Sequence, residues 1–266
     1  MASSRPTGSV RFENNNRVVI VTGGSMGIGE AIVSAFAASG AHVIIADVVA
    51  PESNKPPNVS YQRCDTASQK DCDAVVQHAI SSHGAIDVLV NNAAIQPRES
   101  YHPIDGVPES VWQRMIDVNL CGYMRMASCV LPKMKCQESG VVINVASGQA
   151  HRTAREVGIY GPIKSANVMQ ARQWGIEYAR DGIRVLSVSP GAIDTPMIRA
   201  SLDEQGGSAA LANRHPIGRI GTPQEVADAV LWLTSSAASF VTATDLEVDG
   251  GLGALGAFAD PYPMTE

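Results

Sequence analysis

Short apolar, β-branched runs in this chain take turns with longer amphipathic segments, and that alternation restricts the possible folds severely. "RVVIVT" leads into Gly27 to Ala38, and "HVIIAD" follows. "DVLVNNA" leads into Ser110 to Met134, "GVVINVAS" into a segment around Tyr160 to Ala179, and "IRVLSVS" closes the series. Runs this short read as strands, and strands separated by helical stretches join as parallel neighbours through crossovers. Val18 to Val21 and Val43 to Ala46 are apolar at successive positions, so each strand must be covered on both faces. The expected fold is α/β, a doubly wound parallel sheet between two helix layers.

The chain has 266 residues, 45% of them hydrophobic, enough to bury a substantial core. No repeat, low-complexity linker or shift in composition marks a boundary, so a single domain is expected over residues 17–266. Met1 to Asn16 is polar, ends in "ENNN", and reads as a flexible N-terminal arm, neither a signal peptide nor an anchor. No apolar run approaches the roughly 18 to 20 residues of a membrane helix. The net charge of −6 and the lack of any Lys/Arg cluster argue against a nucleic-acid surface, leaving a small molecule as the expected partner. Five cysteines, odd in number and without CxxC or zinc-ligand spacing, imply no metal. Cys121 and Cys129 are expected as buried free thiols, which suits a reducing cytoplasm.

"TGGSMGIG", Thr22 to Gly29, leaves the first strand and enters the first helix. Gly23, Gly27 and Gly29, with Ser25, Met26 and Ile28 between them, let the backbone turn tightly and approach a pyrophosphate. The helix N-terminus adds partial positive charge. Taken alone, such a turn is also just a tight connection; its GxxxGxG spacing differs from GxGxxG, and no GK[ST] follows to suggest a triphosphate loop. The second strand ends in Asp47, 18 residues beyond Gly29, where a carboxylate accepts hydrogen bonds from adenosine ribose hydroxyls and repels a 2′-phosphate. No cation among Ser25, Met26, Val48 and Val49 offsets that repulsion, so NAD is expected over NADP. Asp65 either meets the adenine amino group, or it or Thr66 caps the following helix.

In "YGPIK", Tyr160 and Lys164 stand four residues apart and share one helix face. Pro162 between them is acceptable only within a first helical turn, where the backbone donors lack intrahelical partners anyway. A helix starting around Gly158 to Gly161 is therefore expected. Reducing a ketone by hydride needs a proton donor for the emerging alkoxide, and a phenol of ordinary pKa about 10 serves poorly near neutrality. A lysine one turn away stabilises the phenolate and lowers that pKa.

Read in order, "TGGSMGIG", "NNAA", "DVNL", "NVAS", "YGPIK" and "SPGAIDTP" resemble the short-chain dehydrogenase/reductase family of the classical type, over about Arg17 to Gly251. The resemblance implies a Rossmann-type fold and a catalytic tetrad of Asn119, Ser147, Tyr160 and Lys164, with Ser147 13 residues before the tyrosine. Ser147 would hydrogen-bond the substrate oxygen, and Asn119 would hold a water passing protons between Lys164 and solvent. Lys164 and Tyr160 also touch the cofactor in this reading. Asn92, Ala93 and Ala94 would end a strand beneath it, Pro190, Gly191 and Ile193 would line the nicotinamide site, and Thr195 would reach the carboxamide. Ala94 stands where the family usually has glycine, and is tolerated unless the backbone there needs positive φ. A homotetramer is likewise implied.

Residues 195–221, rich in Gly, Ala and Pro before the helix that Pro223 begins, read as a substrate loop. Candidate pocket walls are Gln96, Gln149, His151, Arg152, Met197 and Ile198; His151 and Arg152 either bind an anionic or hydroxylated substrate or are solvated loop charges. The apolar tail, Ala257 to Pro263, is expected to close over a pocket. The leading activity is NAD(H)-dependent interconversion of a secondary alcohol and a ketone. Two other classes stay open: a dinucleotide-binding regulator without turnover, and a lyase or isomerase that oxidises its substrate transiently.

Overall fold

A computed structural model describes residues 8–52, 55–200, 202 and 207–256; the tail from Ala257 onward, with its expected closure, lies outside the described residues. In chain order the strands and helices are β1 (Val18–Thr22), α1 (Gly27–Ala38), β2 (His42–Asp47), β3 (Val59–Arg63), α2 (Gln69–His83) and β4 (Val88–Asn91), then α3 (Glu109–Ile116), α4 (Gly122–Gln137), β5 (Gly140–Val145) and α5 (Tyr160–Glu177). After β6 (Ile183–Pro190) come α6 (Pro196–Arg199), α7 (Gly207–Asn213), α8 (Pro223–Thr234) and β7 (Asp245–Val248). All strand pairings are parallel, in the order β3-β2-β1-β4-β5-β6-β7. The doubly wound sheet is thus as the alternation of runs requires.

Side-chain alternation explains why the central strands are apolar at every position. Val19 and Val21 of β1, with Val43 and Ile45 of β2, face a core built on Ile32, Val33 and Phe36 of α1 and Val226, Val230 and Leu233 of α8. Val18, Ile20, Ile44 and Leu89 face the opposite core, with Val75 and Ala79 of α2, Met126 and Val130 of α4, and Ala171 of α5. A central strand so placed has no solvated face, and burying each such side chain contributes about 1.5–3 kcal/mol.

Strand order reverses between β1 and β4, and ligands of open α/β sheets bind outside the strands' carboxyl ends at such a reversal. Residues 12–16 are tied to the fold: Phe12 packs on the α1 side, and the Asn14 amide donates to Ser39 Oγ at 2.9 Å. Of the five free cysteines, Cys64 and Cys72 are the buried ones. Cys121 and Cys129, expected to be buried, are only partly so, and the amide of Gln69 donates to the Cys129 sulfur at 3.1 Å. No described helix is long and apolar enough to cross a membrane.

Candidate active site

The glycine turn is shaped by its neighbours. Gly23 and Gly27 take φ of +63° and +58°, and a Cβ on Gly23 would come within 2.8 Å of Ala93 Cα. At Gly29 a Cβ would strike the Gly23 carbonyl and the Asn92 amide, so the helix enters against the turn only without a side chain. Asn92 is spent on this architecture, its amide donating to the carbonyls of Thr22 and Gly23 at 3.0 and 2.9 Å. Thr22 Oγ1 accepts from the amides of Asn92 and Ala93. Ala94 is unstrained, since the only described non-glycine residues with positive φ are Asn16, Glu138, Glu156 and Ala243.

Met26, half exposed, is the N-cap of α1 and offers no side-chain hydrogen bond, so the helix-opening amides have no side-chain cap. Ile28 packs toward the α1 core. Asp47, buried at the end of β2, accepts from the Ser25 amide at 3.0 Å and the Val49 amide at 3.1 Å. The nearby cations are engaged elsewhere: Lys55 pairs with Glu30 at 2.9 Å, and Arg63, in register with Asp47, pairs with Asp71 at 3.4 Å.

Neither Asp65 nor Thr66 caps α2, because Ser68 does, accepting from the Asp71 amide. Asp65 instead accepts from Arg114 at 2.8 Å. Burial pushes its carboxyl up, but the hydrogen bonds from Arg114 and the Ala67 amide hold it below the ordinary carboxylate range. Thr66 is buried against Gly122.

The four expected catalytic residues are carried by three segments, the turn before α4, the stretch after β5 and the start of α5, and the last two bring Ser147, Tyr160 and Lys164 together. Tyr160 is the first residue of α5 and Pro162 the third, so the proline falls in the opening turn as its chemistry demands. Asn119 lies in a π-helical turn, Asp117–Cys121, between α3 and α4. Its side-chain amide is tied to Ile95 at both ends: Oδ1 accepts from the Ile95 amide and Nδ2 donates to the Ile95 carbonyl, both at 2.8 Å. Its main-chain carbonyl accepts from Asn167 Nδ2 at 3.0 Å. An amide ladder continues from Asn91 Nδ2 to Asn144 Oδ1 at 3.0 Å and from Asn144 Nδ2 to the Asn167 carbonyl at 3.2 Å, binding β4, β5 and α5 together.

Lys164 is 1% exposed. Its Nζ donates to the Val145 carbonyl at 2.8 Å and to the Tyr123 hydroxyl at 3.3 Å, and lies 5.6 Å from the Tyr160 ring centroid. Burial lowers the ammonium to about 7. Burial, with the neighbouring Tyr101, pushes the Tyr160 phenol up, while a hydrogen bond with the Ser147 side chain pulls it back down. Ser147 Oγ also accepts from the Gln149 amide at 3.2 Å. Lysine therefore meets tyrosine across its ring face, with its hydrogen bonds directed elsewhere.

Thr195 caps α6 and faces Gly27, whose Cβ position lies 3.4 Å from Thr195 Cγ2. Ile193 turns into the core, while a Cβ on Gly191 would meet Asp249 and His215, both at 2.9 Å or slightly more. Pro190 ends β6. Among the expected pocket walls, Gln96 Nε2 and Gln149 Oε1 are buried without partners, Met197 is exposed and Ile198 half-buried. His151 and Arg152 turn toward the chain's own end: His151 Nε2 lies 2.8 Å from Asp245, and Arg152 donates to the carbonyls of Leu252 and Leu255. Sequence reasoning missed Tyr123 and the Asn144–Asn167 link, which no local motif announces.

A family model described as enoyl-(acyl carrier protein) reductase matches residues 23–253. The chain is 36% identical over 251 residues to a 2,5-dichloro-2,5-cyclohexadiene-1,4-diol dehydrogenase of Sphingobium indicum, covering 91% of this chain and 98% of that one. It is 33% identical over 249 residues to the 5-keto-D-gluconate 5-reductase of Escherichia coli, covering 91% and 97%. The aldohexose dehydrogenase of Thermoplasma acidophilum superposes with a TM-score of 0.87 at 35% identity, over 93% of this chain and 98% of that chain.

Proposed function

The chain belongs to the short-chain dehydrogenase/reductase family and is an oxidoreductase, and from that premise we propose that it interconverts a secondary alcohol and a ketone with NAD(H), using Tyr160 as general acid and base. The observation that carries this reading is that Tyr160 meets Lys164 across its ring and Ser147 through a hydrogen bond, beside the carboxyl end of β5.

The residues present fit a nicotinamide dinucleotide. The α1 amides lack a side-chain cap, the turn at Gly23, Gly27 and Gly29 admits close backbone approach, and the Asp47 carboxylate stands at the end of β2. Asp47 favours NAD, because Lys55 and Arg63 are held by Glu30 and Asp71 and do not offset a 2′-phosphate. Asp65 and Thr66 belong to the adenine end in this reading, Asn92 to Ala94 to the floor, and Pro190, Gly191, Ile193 and Thr195 to the nicotinamide end. When bound, the nicotinamide supplies or accepts the hydride.

Ser147 donates a hydrogen bond to the reacting oxygen, and Tyr160 gives that oxygen its proton in reduction or takes it in oxidation. A charged Lys164 stabilises the phenolate. Asn119 holds the relay water in this reading, and its main-chain carbonyl has a second lone pair for it beyond the one Asn167 uses. Gln96 and Gln149 offer an unpaired donor and acceptor. Together with relatives named for a cyclic diol and a ketogluconate, these point to a small hydroxylated substrate, cyclic or sugar-like. We also read the chain as a homotetramer, the assembly the family resemblance implies, with the exposed Met124, Met169 and Ile176 on α4 and α5 and Phe240 before β7 as candidate contacts.

The test is a panel of cyclic diols, sugars and ketones assayed with NADH and NADPH in both directions. Tyr160→Phe is expected to lower kcat by about 10²–10⁴-fold with NADH binding kept. Failure of every substrate, or full activity in the variant, would overturn the reading. Substrate conversion without net NADH change would point to a lyase or isomerase instead.

A further inference from the structure

Lys164 poses a solvation problem that the four catalytic residues do not solve. An ammonium so buried must have oxygen partners or lose its proton, and among the described residues no carboxylate pairs with it. The groups against it are few. The Val145 carbonyl of β5 accepts one N–H at 2.8 Å, and the Tyr123 hydroxyl of α4 accepts another at 3.3 Å. The Tyr123 and Tyr160 rings stand with centroids 5.2 and 5.6 Å from Nζ, within cation–π range.

Tyr123 is oriented for this task. It is 1% exposed, and its single hydroxyl proton is donated to the Val145 carbonyl at 2.9 Å, which leaves its lone pairs free for Lys164. Burial, with Tyr160 nearby, pushes the Tyr123 phenol well up, so it stays a neutral hydroxyl. Tyr123, Val145 and Lys164 thereby form a closed triangle in which one carbonyl fixes both donors.

We propose that Tyr123 is a positioning residue for Lys164: its hydroxyl, aimed by Val145, and its ring face hold the lysine charged and beside Tyr160. The proposal rests on the function read above, since Tyr160 is the group that benefits. Removing the Tyr123 oxygen leaves Lys164 one protein oxygen acceptor and favours the neutral amine. Less positive charge beside Tyr160 makes its phenol harder to ionise, so oxidation requires a higher pH. The other groups acting on Tyr160, namely Tyr101 from the loop after β4 and Ser147 after β5, are untouched by the change, and Asn119 in the π turn carries no charge.

Tyr123→Phe keeps the ring and deletes only the oxygen. Two measurements test it. In cofactor-free protein labelled with ¹³C at lysine Cε, the Lys164 resonance, identified by its loss in Lys164→Met, is expected to titrate about one pH unit lower in Tyr123→Phe. In the holoenzyme, the acidic limb of kcat for oxidation is expected to move up in pH by a similar amount, with the KM for NAD and the melting temperature little changed. An unmoved Lys164 titration would overturn the proposal. If wild-type protein turns over no alcohol, the functional reading fails while the lysine titration still decides this one. Tyr123→Gln keeps an oxygen acceptor without the ring and is expected to hold Lys164 nearer its wild-type midpoint than Tyr123→Leu does. That comparison decides the matter if the phenylalanine variant does not fold, and equal midpoints in the two would refute the assignment.

Discussion

Lys164 works against the stability of its own fold. Its ammonium is lowered from 10.5 to about 7 by burial, so between those values the unfolded chain binds the proton that the folded chain has released. Stability attributable to this group therefore rises with pH across that window, and the penalty for burying the charge is complete below about 7. Lys164→Met is expected to abolish activity and to stabilise the protein by a few kcal/mol at pH 6, roughly the scale set by such a shift. The gain should shrink as pH climbs toward 10, and urea unfolding at several pH values measures it. A gain independent of pH would refute the account. At this scale the sequence was legible where chemistry repeats at fixed spacing, as in Tyr160 and Lys164. It was opaque where a side chain turns to a distant partner. Nothing local reveals that Arg152 grips Leu252, 100 residues later, or that Tyr123 meets Lys164 across 41.

Two helix starts show opposite solutions to one problem. At α8, Thr222 accepts from the Glu225 amide while Glu225 reaches back to the Thr222 amide at 2.8 Å, and Arg219 holds the same carboxylate. At α1 the opening amides have no such cap, which suits a site for an anion. Hydrogen bonds from Arg219 and Thr222 lower Glu225 to about 2 from 4.5. Because the folded value is depressed, its contribution is full above about 4.5 and is lost as pH falls through about 2. Thr222→Ala is expected to destabilise the protein by about 1 kcal/mol, and Glu225→Gln to flatten the acid side of the stability profile; thermal melts from pH 2 to 7 check both. Elements were readable in proportion to their burial. The central strands carry unbroken apolar runs, whereas edge strands β3, "VSYQR", and β7, "DLEV", are only partly covered and carry no such run. The π turn at Asn119 leaves no break in the helical pattern, which continues on either side, and what distinguishes it is the tie of the Asn119 amide to Ile95.

At the scale of the molecule, both core faces are filled by α1 and α8 on one side and α2, α4 and α5 on the other, yet α4 and α5 still present Met124, Met169 and Ile176 to solvent. Ile176, 72% exposed, is the most open of these, and a protomer of 28.0 kDa assembled fourfold would cover such a face. Ile176→Lys combined with Met169→Lys is expected to reduce the sedimenting mass to that of a dimer or monomer while the fold survives, as judged by circular dichroism. A wild-type protein that sediments as a monomer would end the tetramer proposal. The overall architecture was legible because strand and helix runs alternate along the whole chain. Assembly was not, since exposed apolar residues mark a contact without saying how many copies share it.

Strand order also dictates how the chain meets its partners in time. The first strand made, β1, emerges from the ribosome long before the central strand β4, its neighbour across the switch point, and Asn91 waits 53 positions for Asn144. Synthesis cannot consolidate the fold from its beginning, because the core face begun by α1 is completed only by α8, made near the end. A nascent chain stalled before Pro190 has made the whole α2, α4 and α5 core but lacks α8 for the other face and β7 for its strand edge, so its hazard is association with other such chains rather than partial function.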